Sequence, residues 1–341
     1  GTIATFRERF IGGMLSNGYP QDFAERCFSQ IEGFGTYGFP EAHAISFANL
    51  VYVSAWLKCR YPDVFCAALL NSQPMGFYAP AQLVRDARNH GVEVRPIDVN
   101  RSELDSTLEP VQGSTRHAVR LGLRLVAGLA EKDALALVQA RGEGYRSPDE
   151  IPRRAGCRRP ALDRLAQADA FGSMQLERRQ ALWKTSALEG KMPPLFLHSE
   201  ANLFEEPEVE LPPLTPSQEV VKDYRATGLT LREHPLAFLR AGLRTRRVIT
   251  AEQLGRTSNG KVVTVAGLVL FRQQPMTAKN TIFLTLEDET GAMNLIVWKH
   301  VHEKYRRAVY GGKLLGCQGL VQREGQVLHV VVNRVWDWTS D

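Results

Sequence analysis

Two groups of residues in this chain have the types and spacing to hold a polyanion. The first is Val126 to Ala134, a hydrophobic residue followed by Gly128, Leu129, the small Ala130, then Glu131, Lys132, Asp133 and Ala134. Glycine at the third place permits a tight turn that other residues resist. Leu129 is spaced to anchor that turn between two helices, and the N–H groups opening the second helix then point outward, where a phosphate oxygen could accept from them. Such a grip ignores base identity. The pattern is imperfect, since Ala130 stands where a second glycine is usual. Leu165 to Gly172 reads as a degenerate second copy, with Arg158, Arg159 and Arg164 leading in. Many helical turns need a glycine, so one such hairpin is a moderate signal and two in a basic stretch are a stronger one. The second copy could equally be a packing partner of the first.

The second group lies near the carboxy terminus. Phe271, Arg272, Lys279, Phe283 and Trp298 offer cations to follow a nucleic-acid backbone and aromatic faces on which bases stack. Strand alternation alone leaves open whether Phe283 and Trp298 face outward or fill a core. Other constellations carry less. Glu287, Asp288 and Glu289 read as a solvated turn, and His300 and His302 lack further metal ligands. No Ser-His-Asp order, P-loop or dinucleotide fingerprint occurs. The five cysteines form no CxxC pair and read as buried, reduced thiols.

The elements that must position these groups follow from periodicity. A length of 341 residues suffices for two or three domains. No apolar run reaches the ~18 residues of a membrane span, so no membrane partner is expected, and a cytoplasmic location is. The expected class is multidomain α+β. Residues 1–118 read as helices with a small sheet, 119–190 as a tandem helix-hairpin-helix, 191–250 as a linker with connector helices, and 251–341 as an all-β OB-fold barrel. The barrel rests on five Val-, Leu- and Ile-rich runs at 262–272, 281–288, 293–298, 313–322 and 326–335, with a helical stretch at 301–309 after the third. Net charge, from Lys, Arg, Asp and Glu, is −2 over 1–118, +4 over 119–190, −3 over 191–241 and +6 over 242–341. Two basic blocks joined by an acidic one suggest two surfaces for one polyanion.

Residues 33–66 organise the amino-terminal part. Gly33, Gly35 and Gly38 alternate with Phe34, Tyr37 and Phe39 as a tight approach, and Glu41 to Arg60 is apolar almost all round, the pattern of a helix buried on most faces. His43 stands alone at its entrance and would ordinarily cap or pack the helix start. Phe39-Pro40-Glu41-Ala42-His43-Ala44, and the run that follows to residue 100, resemble the end of the fingers region of bacterial C-family DNA polymerases, in the error-prone, ImuC-type branch. That resemblance implies several things. His43 becomes a candidate contact to the sugar of an incoming nucleotide. The parent would be a DNA-directed DNA polymerase using Mg²⁺. The amino-terminal polymerase-and-histidinol-phosphatase-like domain and the palm carboxylates would lie outside this chain, which would then be inactive alone and carry no cofactor. The expected ligands are duplex DNA and single-stranded template. A companion error-prone polymerase-like protein and a sliding clamp are expected partners of the parent. Leu203 and Phe204 could form a clamp peptide, although Glu200 stands where such peptides carry glutamine; the alternative is that they tack the strap to its own domain. The competing functional reading is a non-polymerase nucleic-acid-binding scaffold with hairpin and OB modules.

Overall fold

The computed structural model describes residues 6–37, 41–76, 78–188, 211–275 and 280–339, without the side chains of 33–37, 41–43 and 187. The chain forms two compact units, Gly1–Cys66 and Ala67–Asp341. In the first, α1 (Arg7–Ser16) and α2 (Gln21–Tyr37) pair through Phe10 and Phe28, whose ring centroids are 5.7 Å apart. Helix α2 runs on through Gly33 and Gly35, where the sequence suggests a turn. A glycine weakens a helix by about 1 kcal/mol without ending it. Helix α3 (Glu41–Arg60) is the apolar one, and it departs from expectation: Ile45 and Val51 are each 64% exposed and Tyr52 72%. An all-round apolar helix needs partners on every side, and the surfaces described in this unit do not supply them. Pro62 opens α4 (Pro62–Asn71), where its missing N–H costs nothing.

In the second unit, α5 (Pro80–Asn89) precedes a small sheet of β1 (Val94–Arg95), β2 (Thr107–Glu109) and β3 (Ala118–Arg120), ordered β1-β3-β2 with β1 parallel and β2 antiparallel to β3. Strand β2 lies where the sequence signals mostly turns. Glu109 joins all three strands, accepting from Arg120 Nε at 2.8 Å and Arg95 Nη1 at 2.5 Å. Those guanidinium groups, Arg120 first, hold its carboxyl down to about 2.

The hairpin region follows as α6 (Glu131–Gln139), α7 (Glu150–Ala155), α8 (Arg159–Gln167) and α9 (Arg178–Ala187), around fully buried Leu137, Ile151, Leu162, Leu165 and Phe171. The connector is α10 (Pro216–Thr227), α11 (Pro235–Thr245), β4 (Val248–Ile249) and α12 (Ala251–Gly255). Thr215 caps α10 in a reciprocal box with Gln218, and Gly228 ends it in the left-handed conformation, as the sequence suggests.

Strands β5 (Val262–Gln273), β6 (Ile282–Glu287), β7 (Ala292–Val297), β8 (Leu314–Glu324) and β9 (Val327–Asp337) close into a barrel in the order β5-β6-β7-β9-β8, with β8 returning to β5 and β4 beside β5. Two short helices, α13 (Lys299–Lys304) and α14 (Arg306–Gly311), occupy the place after the third barrel strand. This is the OB order. Alternation holds along β6, where Ile282, Leu284 and Leu286 are buried and Phe283 is exposed.

Candidate nucleic-acid interface

Strand β3 leads through a 3-10 turn, Leu123–Leu125, into the first hairpin. Leu123 and Val126 are buried and pin the turn, and Gly128 takes φ +76°, a conformation costly for any side chain. Leu129 N–H closes the turn on Val126 O at 3.2 Å, and Ala130 is the extended residue that opens α6. The N–H groups of Gly128, Ala130, Glu131 and Lys132 donate to no backbone carbonyl among the described residues. They are the orphan donors of a helix start, and the helix dipole adds positive potential there. Glu131 and Asp133 share that first turn, so the surrounding cations decide its net character.

The fold gathers those cations. A Cβ on Gly128 would stand 3.2 Å from Arg164 Nε, so the guanidinium of α8 lies across the hairpin turn. Cys157 Sγ sits 3.5 Å from Asp133 O, which brings Arg158, the residue before α8, and Arg159 beside the first turn of α6. Lys132, Arg158, Arg159 and Arg164 are all exposed, Arg159 with Asp163 as an ion-pair partner at 3.7 Å. A further neighbour comes from the connector. Ala127 N–H donates to Ala226 O at 2.7 Å, placing the end of α10, with exposed Arg225, at the same hairpin. Arg225 and Lys222 lie one turn apart on α10. Sequence reasoning passes over them because they belong to the acidic block, although their i, i+3 spacing was the available signal.

The second hairpin is built differently. Asp169 takes the left-handed place, φ +59°, and its carboxylate accepts from Arg232 at 2.9 Å and lies 3.9 Å from Arg178. Arg178 is 1% exposed, held between Glu219 and Asp223 of α10. The N–H of Ser173, in the 3-10 turn Gly172–Met174, donates to buried Asp98 at 2.8 Å. A carboxylate of the chain itself thus occupies the amide donor that a bound anion would need. This hairpin is a packing joint between the small sheet, α8–α9 and α10.

On the barrel, register settles which way the aromatics face. Phe271 pairs with Thr285 and Gln273 with Phe283, while Phe283 pairs with Ile296 on β7, so these side chains share the outer surface. Phe283 is 37% and Trp298 47% exposed; neither fills the core. Arg272 is committed elsewhere: Nε donates to Val309 O at 2.8 Å and Nη2 to Gly312 O, clamping β5 to the end of α14. Burial pulls its pKa downward, and the nearby Asp337 opposes this. Lys279 and the side chain of His43 lie outside the described residues, as do Leu203 and Phe204.

The acidic triplet is no solvated turn. Asp288 is fully buried, accepting from the N–H groups of Thr290, Gly291 and Ala251, and Arg240 bonds Glu289 at 2.5 Å. Glu287 pairs with Arg85 and lies 3.4 Å from His234 Nε2. Burial opposes ionisation of Glu287 and Glu289, yet His234, Arg85 and Arg240 keep both pKa values below the ordinary carboxylate range. Carboxylates at this strand end and turn are drawn inward because partly buried Arg85 of α5 and buried Arg240 of α11 supply cations. Among the described residues no cluster of three or more His, Cys, Asp or Glu could hold a metal ion. His302 is buried with Nε2 2.8 Å from Asn280 O. Of the cysteines, Cys66, Cys157 and Cys317 are buried, the last two with thiols pushed up to about 11 and about 12 by desolvation, whereas Cys59 is exposed. No helix among the described residues is long and apolar enough to cross a membrane.

Comparison with known proteins agrees with this architecture. Residues 91–181 match the family model described as helix-hairpin-helix motif, and 263–337 the one described as OB-fold nucleic acid binding domain. The chain is 53% identical over 349 residues to error-prone DNA polymerase 2 of Rhizobium meliloti, covering 100% of this chain and 32% of that protein. It is 52% identical over 350 residues to error-prone DNA polymerase 1 of Agrobacterium fabrum, covering 99% of this chain and 32% of the relative. With the error-prone DNA polymerase of Ruegeria pomeroyi, identity is 50% over 339 residues, 99% of this chain and 30% of the relative. The chain therefore spans about a third of the length of the curated relatives it matches.

Proposed function

Because the chain belongs, along its whole length, to the family of the error-prone DNA polymerases, we propose that it is the DNA-binding carboxy-terminal part of such an enzyme, a DNA-directed DNA polymerase acting on damaged template. The observation that carries this reading is the first hairpin. Helix-start amides without backbone acceptors sit beneath Gly128, ringed by Lys132, Arg158, Arg159 and Arg164 from two helices. These groups fit the phosphates of a duplex irrespective of sequence. The outer barrel face with Phe283 and Trp298 then fits the single-stranded template, by stacking. Arg272 serves the barrel rather than DNA, and Lys222 and Arg225 extend the cationic track.

The remaining assignments rest on the resemblance to these longer relatives. Nucleotidyl transfer and its Mg²⁺ ions belong to the part of the parent beyond this chain. The exposed apolar surface of α3 fits packing against that part, with His43 near the nucleotide. Contact with a clamp runs through a companion protein rather than through a direct peptide at Leu203 and Phe204. The parent is cytoplasmic. A scaffold outside the polymerases would have no use for residues 33–75, yet the relatives match there as well.

The test is duplex binding across a range of salt. Replacing Arg158, Arg159 and Arg164 together with alanine is expected to weaken binding equally for unrelated sequences. The slope of log affinity against log salt should flatten by about 0.9 for each phosphate that the variant no longer neutralises. Loss confined to one sequence would indicate base readout and overturn the proposal. With Mg²⁺ and nucleotides, the chain alone should extend no primer.

A further inference from the structure

A second aromatic and basic surface lies on the barrel, away from Phe283 and Trp298. At the end of β9, Trp336 and Trp338 lie nearly parallel, 19° between planes and 6.0 Å between centroids. Arg334 stands over Trp336 at 5.3 Å, and Arg246, from the turn after α11, over Trp338 at 5.0 Å. The result is a ladder of arginine, tryptophan, tryptophan, arginine, in which the end of β9 supplies Arg334 and both rings and the turn after α11 supplies Arg246. Two local features make room for it. Gly316 lies opposite Trp336 on β8, and a Cβ there would come within 2.5 Å of the Trp338 ring, so the ring packs closely on bare backbone. On the other side, Arg247 adopts φ +56°, a left-handed conformation unusual for a long side chain and normally given to glycine after a helix.

The same turn carries Arg244, and both Arg244 and Arg247 are exposed. Among the described residues, Arg244, Arg247 and Arg334 have no carboxylate within ion-pairing distance. Trp338 tacks onto the small core of Leu236, Leu243, Val248 and Ala266, while Trp336 has no place in that cluster. A structural role accounts for Trp338 but not for Trp336 or for the exposed Arg244, Arg247 and Arg334. Cations interleaved with partly buried indoles match a ligand that alternates phosphate and base.

We infer that the β8–β9 surface formed by Trp336, Trp338, Arg334 and the Arg244–Arg247 turn is a second binding site for single-stranded nucleic acid, separate from the β6–β7 face. The inference rests on the barrel being a nucleic-acid module, but not on the β6–β7 aromatics being its contact.

The experiment compares the full chain with Trp336→Ala, Trp336→Phe, Arg334→Ala and Phe283→Ala variants, using a fluorescent oligothymidylate and a fluorescent duplex. Stacking of one base on an aromatic ring corresponds to about tenfold in affinity. Trp336→Ala is expected to weaken oligothymidylate binding about tenfold, and Trp336→Phe only about twofold, because phenylalanine keeps a stacking face. Duplex affinity and thermal stability should stay at the unmodified level in both. Arg334→Ala should flatten the salt dependence for the single strand only. Unchanged oligothymidylate binding by Trp336→Ala overturns the inference, as does a loss shared equally by duplex and single strand with reduced stability, which marks a packing residue. If Phe283→Ala weakens binding and Trp336→Ala does not, this inference fails while the earlier reading stands. If Phe283→Ala has no effect and Trp336→Ala does, the reverse holds.

Discussion

The two hairpins have the same backbone feature and opposite contents. At the first, a left-handed Gly128 leaves the amides of a helix start facing exposed Lys132, Arg158 and Arg164. At the second, a left-handed Asp169 turns its carboxylate onto Arg232 and the buried Arg178, and Asp98 takes the Ser173 amide. A turn of the right shape is therefore not yet an anion site. An anion site needs donors that no internal acceptor has claimed, together with cations that no internal acid has neutralised. The second hairpin meets neither condition, and it gains rigidity in exchange.

The largest effect that would sharpen this contrast is Arg178→Ala. It leaves Glu219 and Asp223 with only the more exposed Arg232, 3.5 Å from each, and removing one member of a buried ion pair costs about 3–5 kcal/mol. At about 2–4 °C per kcal/mol, the thermal midpoint is expected to fall by roughly 10 °C. Thermal unfolding followed by circular dichroism checks it. A change below about 1 kcal/mol would make the second hairpin as open as the first and break the contrast.

Next in size is Gly128→Ala against Asp169→Asn. An alanine at Gly128 is strained by about 1 kcal/mol in the left-handed region, and its Cβ displaces Arg164. Duplex affinity should drop about tenfold, equivalent to ~1.4 kcal/mol. Asp169→Asn keeps a residue that tolerates this conformation, loosens the Arg232 pairing, and should leave duplex affinity within about twofold. Equal losses in the two variants, read by fluorescence anisotropy, would mean that both hairpins hold DNA.

The smallest expected effect concerns the sheet that feeds the first hairpin. The Glu109 carboxyl is held down to about 2 by Arg120 and Arg95, below its ordinary 4.5. A depressed carboxylate stabilises the fold above its unfolded-state pKa, and that contribution disappears as pH falls through the folded value. Glu109→Gln should therefore lower the midpoint by about 2–4 °C at pH 7, from hydrogen bonds worth ~1 kcal/mol. The difference from the unmodified chain should shrink as pH falls from about 4.5 toward 2. A difference independent of pH would assign the effect to shape rather than charge.

Much of this molecule is determined by local rules. Proline at the first turn places the starts of α4, α5, α10 and α11, and the Thr215–Gln218 box and Gly228 bound α10. The five barrel strands lie where Val-, Leu- and Ile-rich runs predict them, because period-two burial is written residue by residue. The first hairpin is likewise legible, since a single glycine and its neighbours suffice to specify the turn.

What only tertiary structure decided is who faces whom. The sequence contains Arg178, Asp98, Arg240 and Asp288, but nothing local says that the first two occupy the second hairpin or that the last two lock the barrel to α11. Those side chains meet partners 41 to 75 residues away in sequence. Charged side chains read as solvated unless a distant element brings an opposite charge into the same dry volume. The same holds for α3, whose apolar pattern records a need for partners without saying where they lie, and for Arg225, which an acidic stretch conceals until Ala226 meets Ala127. Backbone conformation is set by neighbours in the chain, whereas the ownership of each polar group is set by packing, and this division separates the two hairpins.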